Sequence, residues 1–244
     1  MSFDYLRAIK RPFTDFNKLS IGVIFLIIPF INIITGFLVK GYRLEAARTS
    51  FNKKFEMPKW ENFGNLFVRG LLSFVIAIIY MLPAIILILI SVGKILYNII
   101  MQYGLNQGFS LGNSLSDQLI QNTLSQNIAM IPVFIVGVLL ALLSAYLGPI
   151  AIMKYAEKYK FGSAFKLGEV LRKAFKGPYF IAILAIILYS IIISLISSAL
   201  SLGFAAINVQ FLTIALSLIV SGLASFIVIV TSYTIIGEVY SKLK

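Results

Sequence analysis

Between Lys176 and Glu238 the chain runs for 61 residues, 177–237, without one charged side chain. A surface in contact with water cannot be built from such a stretch, whereas a helix crossing a bilayer needs only roughly 20 apolar residues at ~1.5 Å each. The window holds two crossings and a turn. Gly203, Asn208 and Gln210 supply the turn, dividing it into spans of about 178–202 and 211–236. Two more charge-free windows hold one span each: residues 70–93, with their basic entry, give about 66–92, and residues 118–153 give about 128–152. Composition agrees, with 59% hydrophobic and 12% charged residues, against roughly 25% charged in a soluble domain. The reading is an all-α integral membrane protein, a single polytopic domain over 1–244, multi-pass in the cell membrane, with about four transmembrane helices.

A fourth window, Leu19–Val39, admits two readings. It is long enough to cross once as a fifth span. Yet Pro29, Asn32 and Gly36 fall in its second half, where a proline breaks a helix and an asparagine can cap a new one. Two half-helices of about ten residues each reach only ~15 Å, half the hydrocarbon core, which describes a re-entrant hairpin near the N-terminus. Charge counting separates the two. If residues 19–39 re-enter, 20 of the 21 Lys and Arg side chains lie on one face and only Lys94 lies opposite; if they cross, the split is 16 to 5. Basic residues collect on the cytoplasmic side of membrane proteins, so the hairpin is favoured and both termini are expected in the cytoplasm. No cleavable leader is expected, because Asp4 and Asp15 precede the first apolar run and no small-x-small site follows it before Lys40.

The chain has no His and no Cys. Their absence removes imidazole and thiol catalysis, disulfides and the usual zinc and haem ligands. None of the nine acids falls inside a span, which leaves no intramembrane carboxylate for a proton relay. No enzyme activity, cofactor or metal is expected. The net charge of +12 is distributed over short basic stretches between long neutral ones, and orientation in the membrane explains it better than nucleic-acid binding, for which no compact basic domain with interleaved aromatics is present.

Two sets of residues are candidates for function. On the last two spans, Ser194 and Ser198, then Thr213, Ser217, Ser221 and Ser225, recur every four residues. Such ladders ordinarily serve helix packing. The sharper reading is a path for a small solute, lined by Ser194, Ser198, Ser217, Ser221 and Ser225 together with Asn32 of the hairpin. The second set is basic: Arg7, Lys10 and Arg11 near the start, and Lys166, Arg172 and Lys173 in the amphipathic stretch Ser163–Lys176, with Trp60 as a headgroup-level anchor. These residues are expected to meet anionic lipid headgroups, other membrane proteins or a second copy of the chain. The external segment 94–127 is rich in amides and glycine, and Leu111, Leu115 and Leu119 could lay a short helix on the outer interface.

The order of motifs is also familiar. Arg11-Pro12-Phe13 leads to the stretch with Pro29 and Asn32, then to Gly41-Tyr42-Arg43, Pro58-Lys59-Trp60-Glu61-Asn62-Phe63, Arg69-Gly70 and Ile79-Tyr80-Met81-Leu82-Pro83-Ala84. Leu147-Gly148-Pro149-Ile150-Ala151 follows later, before the amphipathic entry around Phe161–Val170. This order resembles the largely archaeal membrane-protein family known as domain of unknown function 4013, over nearly the whole chain. The resemblance implies a polytopic membrane protein and no established activity. Two functions follow as expectations: a non-enzymatic assembly or scaffold protein with a basic cytoplasmic face, or a channel or permease using the Pro29/Asn32 hairpin and the Ser/Thr-lined helices.

Overall fold

A computed structural model of the chain describes residues 4–28, 31–103, 125–207 and 209–243. The main helices are α1 (Tyr5–Lys10), α2 (Phe16–Ile27), α3 (Asn32–Phe51), α4 (Phe63–Tyr103), α5 (Met130–Lys158), α6 (Leu167–Ala174), α7 (Gly177–Ala205) and α8 (Gln210–Lys242). Short 3-10 turns precede α2 (Arg11–Thr14) and α6 (Phe161–Phe165), and no strand occurs among the described residues. Among the described residues four helices, α4, α5, α7 and α8, are long and apolar enough to cross a membrane. The expected spans 66–92, 128–152, 178–202 and 211–236 fall on these helices, the second beginning two residues before α5. At 1.5 Å per residue α4 is about 60 Å long and α8 about 50 Å, both well beyond a hydrocarbon core of about 30 Å.

Residues 19–39 are not one helix. α2 ends at Ile27, and α3 begins at Asn32 with Ile31 rather than the asparagine in the capping position. The two run antiparallel. Near the turn the Thr35 hydroxyl donates to the Phe25 carbonyl at 2.6 Å, while at the open end the Trp60 indole N–H, in the loop after α3, donates to the Lys18 carbonyl at 2.9 Å. Pro29 and the Asn32 side chain lie outside the described residues, as do positions 111, 115 and 119 of the amide-rich segment.

The chain divides into two compact units, Met1–Ile76 with Leu147–Lys244, and Ala77–Tyr146. In the first, the C-terminal half of α8 is the core: Phe226, Val230, Thr234 and Val239 are fully buried. The α2–α3 hairpin packs along it in register. Arg11 meets Thr234, Gly22 lies against Phe226, and Ile27 lies against Gly222. The hairpin thus follows α8 for 12 residues, about 18 Å, and turns with another 12 residues of α8, about 18 Å, still ahead of it. Glycine permits α3 and α4 to cross closely: a methyl group on Gly41 would overlap the Leu66 carbonyl, and one on Gly70 the Phe37 carbonyl. In the second unit α4 and α5 pack through Gly137, set against Leu87 and Ile88. Ser144 there donates to the Tyr80 carbonyl at 2.7 Å, in the turn that Pro83 loosens.

The outer faces of the long helices are apolar. Leu89, Leu142 and Leu188 are exposed, and Phe211 is 84% exposed. In water such a surface drives aggregation; lipid tails, as apolar as leucine, solvate it without cost.

Candidate functional site

The site grows from two aspartates. Asp4 caps α1 by accepting from the Arg7 backbone N–H at 2.9 Å, and Asp15, in extended conformation, caps α2 by accepting from the Lys18 N–H at 3.1 Å. Between the caps Arg11-Pro12 opens the 3-10 turn, with proline pre-set for its first positions. The turn drives the Arg11 side chain between α3 and α8, leaving it 1% exposed. Its Nη1 donates to the Ala46 carbonyl (2.7 Å), Ser50 Oγ (2.5 Å) and Thr234 Oγ1 (2.9 Å), and its Nη2 donates to Thr49 Oγ1 and the Glu56 carbonyl (both 2.6 Å). All five acceptors are neutral, and no ion pair among the described residues includes Arg11. Burial brings its guanidinium down to about 10, with Arg7 adding to the effect, so it remains charged at neutral pH.

Aromatic rings lock the hairpin beside this clamp. Tyr42 stacks on Trp60 with centroids 4.0 Å apart and donates to the Pro58 carbonyl at 2.9 Å; Phe25 meets Trp60 edge-on, and Phe226 of α8 closes the cluster. Trp60, expected as a headgroup-level anchor, is partly buried, with one ring face and its N–H engaged within the chain.

The other basic segments gather at the same end of this unit. Glu45 of α3 pairs with Arg69 of α4 and accepts from the Tyr159 hydroxyl at 2.7 Å. Arg69 and Arg48 lie over the Tyr159 ring, and burial together with Glu45 pushes the Tyr159 phenol above its usual range. Lys154 of α5 pairs with Glu169 of α6, Lys173 lies 3.8 Å over the Tyr240 ring, and Tyr240 donates to Glu157 at 3.1 Å. Lys166 is exposed and reaches Glu169 at 3.5 Å, while Arg172 is exposed. Of the basic candidates, Arg7, Lys10 and Arg11 thus share one cleft, described next, and Lys166, Arg172 and Lys173 lie on or beside α6.

That cleft, of about 1030 Å³, opens between the N-terminal turn and the loop after α3. Six bases line it, Arg7, Lys10, Arg11, Lys18, Lys53 and Lys54, against the acids Asp4, Asp15 and Glu56. Lys18 follows on the same N-terminal stretch, whereas Lys53 and Lys54 come to the site through chain reversal, which the spacing of charges along the sequence does not reveal. The two aspartate caps were missed in the sequence, where Asp4 and Asp15, each just ahead of a helix, are the signal that could have found them.

The hydroxyl ladders are brought together in part. Ser194 and Ser198 of α7 and Ser221 and Ser225 of α8, with Ser197, line a groove of about 300 Å³. The four are exposed, Ser217 is not among the lining residues, and the Asn32 side chain is outside the described residues.

The sequence profile of a family described as a protein of unknown function, DUF4013, matches residues 22–202. The chain belongs to the DUF4013 family. The match runs from α2 nearly to the end of α7, so that Arg11 itself and α8 with Thr234 lie beyond it, while the other four acceptors of the clamp lie within it. No curated protein and no solved structure matches the chain. As a DUF4013 protein it is a multi-pass membrane protein, with four helices among the described residues long and apolar enough to cross a bilayer.

Proposed function

We propose that this DUF4013 protein is a non-enzymatic assembly or scaffold protein of the cell membrane, and that its basic end faces the cytoplasm and holds anionic lipid or a membrane partner. One observation carries the reading: Arg7, Lys10, Lys53, Lys54, Lys166 and Arg172 lie on segments that meet at one end of the unit built around α8. A cytoplasmic excess of Lys and Arg orients membrane proteins, and each cation near a charged surface contributes ~1 kcal/mol of attraction to anionic lipid.

The same geometry supports a re-entrant hairpin. Its turn stops about 18 Å short of the far end of α8. Ile24, Ile31, Ile33 and Ile34 around the turn are all more than half exposed, a surface suited to hydrocarbon. Thr35 ties the two helices together there, so that backbone at that depth is braced by protein. Both hairpin ends then return to the basic face, and the N-terminus joins the C-terminus in the cytoplasm.

A second reading, a channel or permease for a small solute, draws on the serine groove between α7 and α8. Its serines are exposed, so a closed path would require a second chain or another element across it. Reconstitution separates the readings. The full chain in liposomes is expected to leave them sealed and to concentrate anionic lipid around itself. A solute or ion leak that Ser221→Leu abolishes would overturn the scaffold reading in favour of the second.

A further inference from the structure

Resting on that reading, we infer that the cleft between the N-terminal turn and the loop after α3 is a discrete site for the phosphate of an anionic phospholipid headgroup, distinct from diffuse attraction to the whole basic face.

Two of the three acids of the cleft are engaged by the chain, and the third, Glu56, is exposed. Asp4 caps α1, and Asp15 caps α2 and pairs with Lys18 at 2.9 Å. Lys10, Lys53 and Lys54 are exposed around the rim and enter no ion pair among the described residues. Arg7 is held in position by its guanidinium lying 3.8 Å over the Phe55 ring. The floor includes Arg11, a buried charge that only neutral oxygens solvate, and its Nε has no hydrogen-bond partner. An anion in the cleft would supply a negative charge near Arg11, with which no carboxylate among the described residues forms an ion pair.

Lys53 points the same way. It follows the C-cap of α3 with φ of 59°, and its N–H donates to the Ser50 carbonyl at 2.9 Å. Glycine is the ordinary residue in that left-handed position, because a Cβ is disfavoured there. A lysine in its place puts a cation on the cleft rim at a conformational cost.

The surroundings favour lipid over free phosphate. Leu6, 60% exposed, lines the cleft, and Phe13 and Phe16 are exposed on the adjoining turn and helix start. Apolar side chains among cations give acyl chains a place beside the bound phosphate.

The test titrates the purified full chain, in a neutral detergent, with phosphatidylglycerol and with phosphatidylcholine. Wild type is expected to prefer phosphatidylglycerol. Lys53→Gly is expected to weaken that binding about fivefold, and the triple variant Lys10→Gln/Lys53→Gly/Lys54→Gln roughly a hundredfold. Thermal stability of Lys53→Gly should equal or exceed wild type, which keeps its lipid result free of unfolding. The pair Lys166→Gln/Arg172→Gln on α6 should cost less than Lys10→Gln/Lys53→Gly. Equal losses from the two pairs would overturn the discrete site and leave a diffuse basic face standing. A wild type indifferent to headgroup charge would overturn the face and the site together. Displacement of the lipid by inorganic phosphate at equal concentration would overturn the lipid assignment.

Discussion

Arg11 allows a prediction in which the conservative substitution is the worse one. Arg11→Gln keeps one amide nitrogen and so at most two of the five donated bonds. The three hydroxyls it leaves still donate within their own helices, Thr49 to Glu45, Ser50 to Ala46 and Thr234 to Val230, at 2.7–2.9 Å. The loss is then three bonds from a charged donor, each ~1.5–3 kcal/mol, and it is offset by no longer desolvating an ion, worth several kcal/mol. The net cost is about 2–4 kcal/mol. Arg11→Lys loses the fork and at least two bonds, but still buries a charge without a carboxylate, so nothing offsets the loss and the cost is about 3–6 kcal/mol. Thermal unfolding in a neutral detergent reads both, at roughly 2–4 °C per kcal/mol for a chain of this size. Glutamine is expected to lower the midpoint and lysine to lower it further. An Arg11→Lys midpoint equal to wild type would refute the argument that five neutral acceptors arranged around a planar guanidinium hold the hairpin to α8.

Two more predictions concern the same unit. Trp60→Phe should cost ~1 kcal/mol for the lost bond to the Lys18 carbonyl and Trp60→Ala ~3–5 kcal/mol for the lost stack, measured by unfolding; equal costs would contradict the packing role. The hydrogen bond from Lys154, with its charge, holds the Glu169 carboxyl below its usual range, so its contribution is full above the unfolded carboxyl value of ~4.3 and fades as pH falls through the lower folded value. Amide protection across Leu167–Ala174, taken relative to the intrinsic exchange rate at each pH, should fall on acidification in wild type and be low already at neutral pH in Glu169→Gln; equal protection profiles would contradict it.

The long helices were legible because hydrophobicity over 61 uncharged residues leaves no other fold. The break within 19–39 was legible from Pro29, since the backbone chemistry of proline is local, whereas Asn32 does not cap α3 and Gly36 lies inside it. The clamp was not. Arg11 reads in sequence as one more cytoplasmic cation, and only chain reversal brings Thr49, Ser50, Glu56 and Thr234 around it, 38 to 223 residues away. The packing of Trp60 was hidden for a related reason: a tryptophan just before a span reads as an interface anchor, and its stacking partner Tyr42 lies on a helix that first has to double back. The serine ladders were right about spacing and silent about neighbours, because a four-residue period sets a helix face but not what packs on it.

Topology tests the central claim most directly. The chain has no cysteine, so single cysteines at Leu6, Lys54, Lys166 and Lys94 can each be probed with an impermeant thiol reagent on intact cells. A hairpin that enters and leaves on the basic side predicts labelling from outside at position 94 alone, with 6, 54 and 166 reached only after the membrane is opened. Labelling of position 6 from outside, with 54 still protected, would mean that residues 19–39 cross the membrane, and the account would fail.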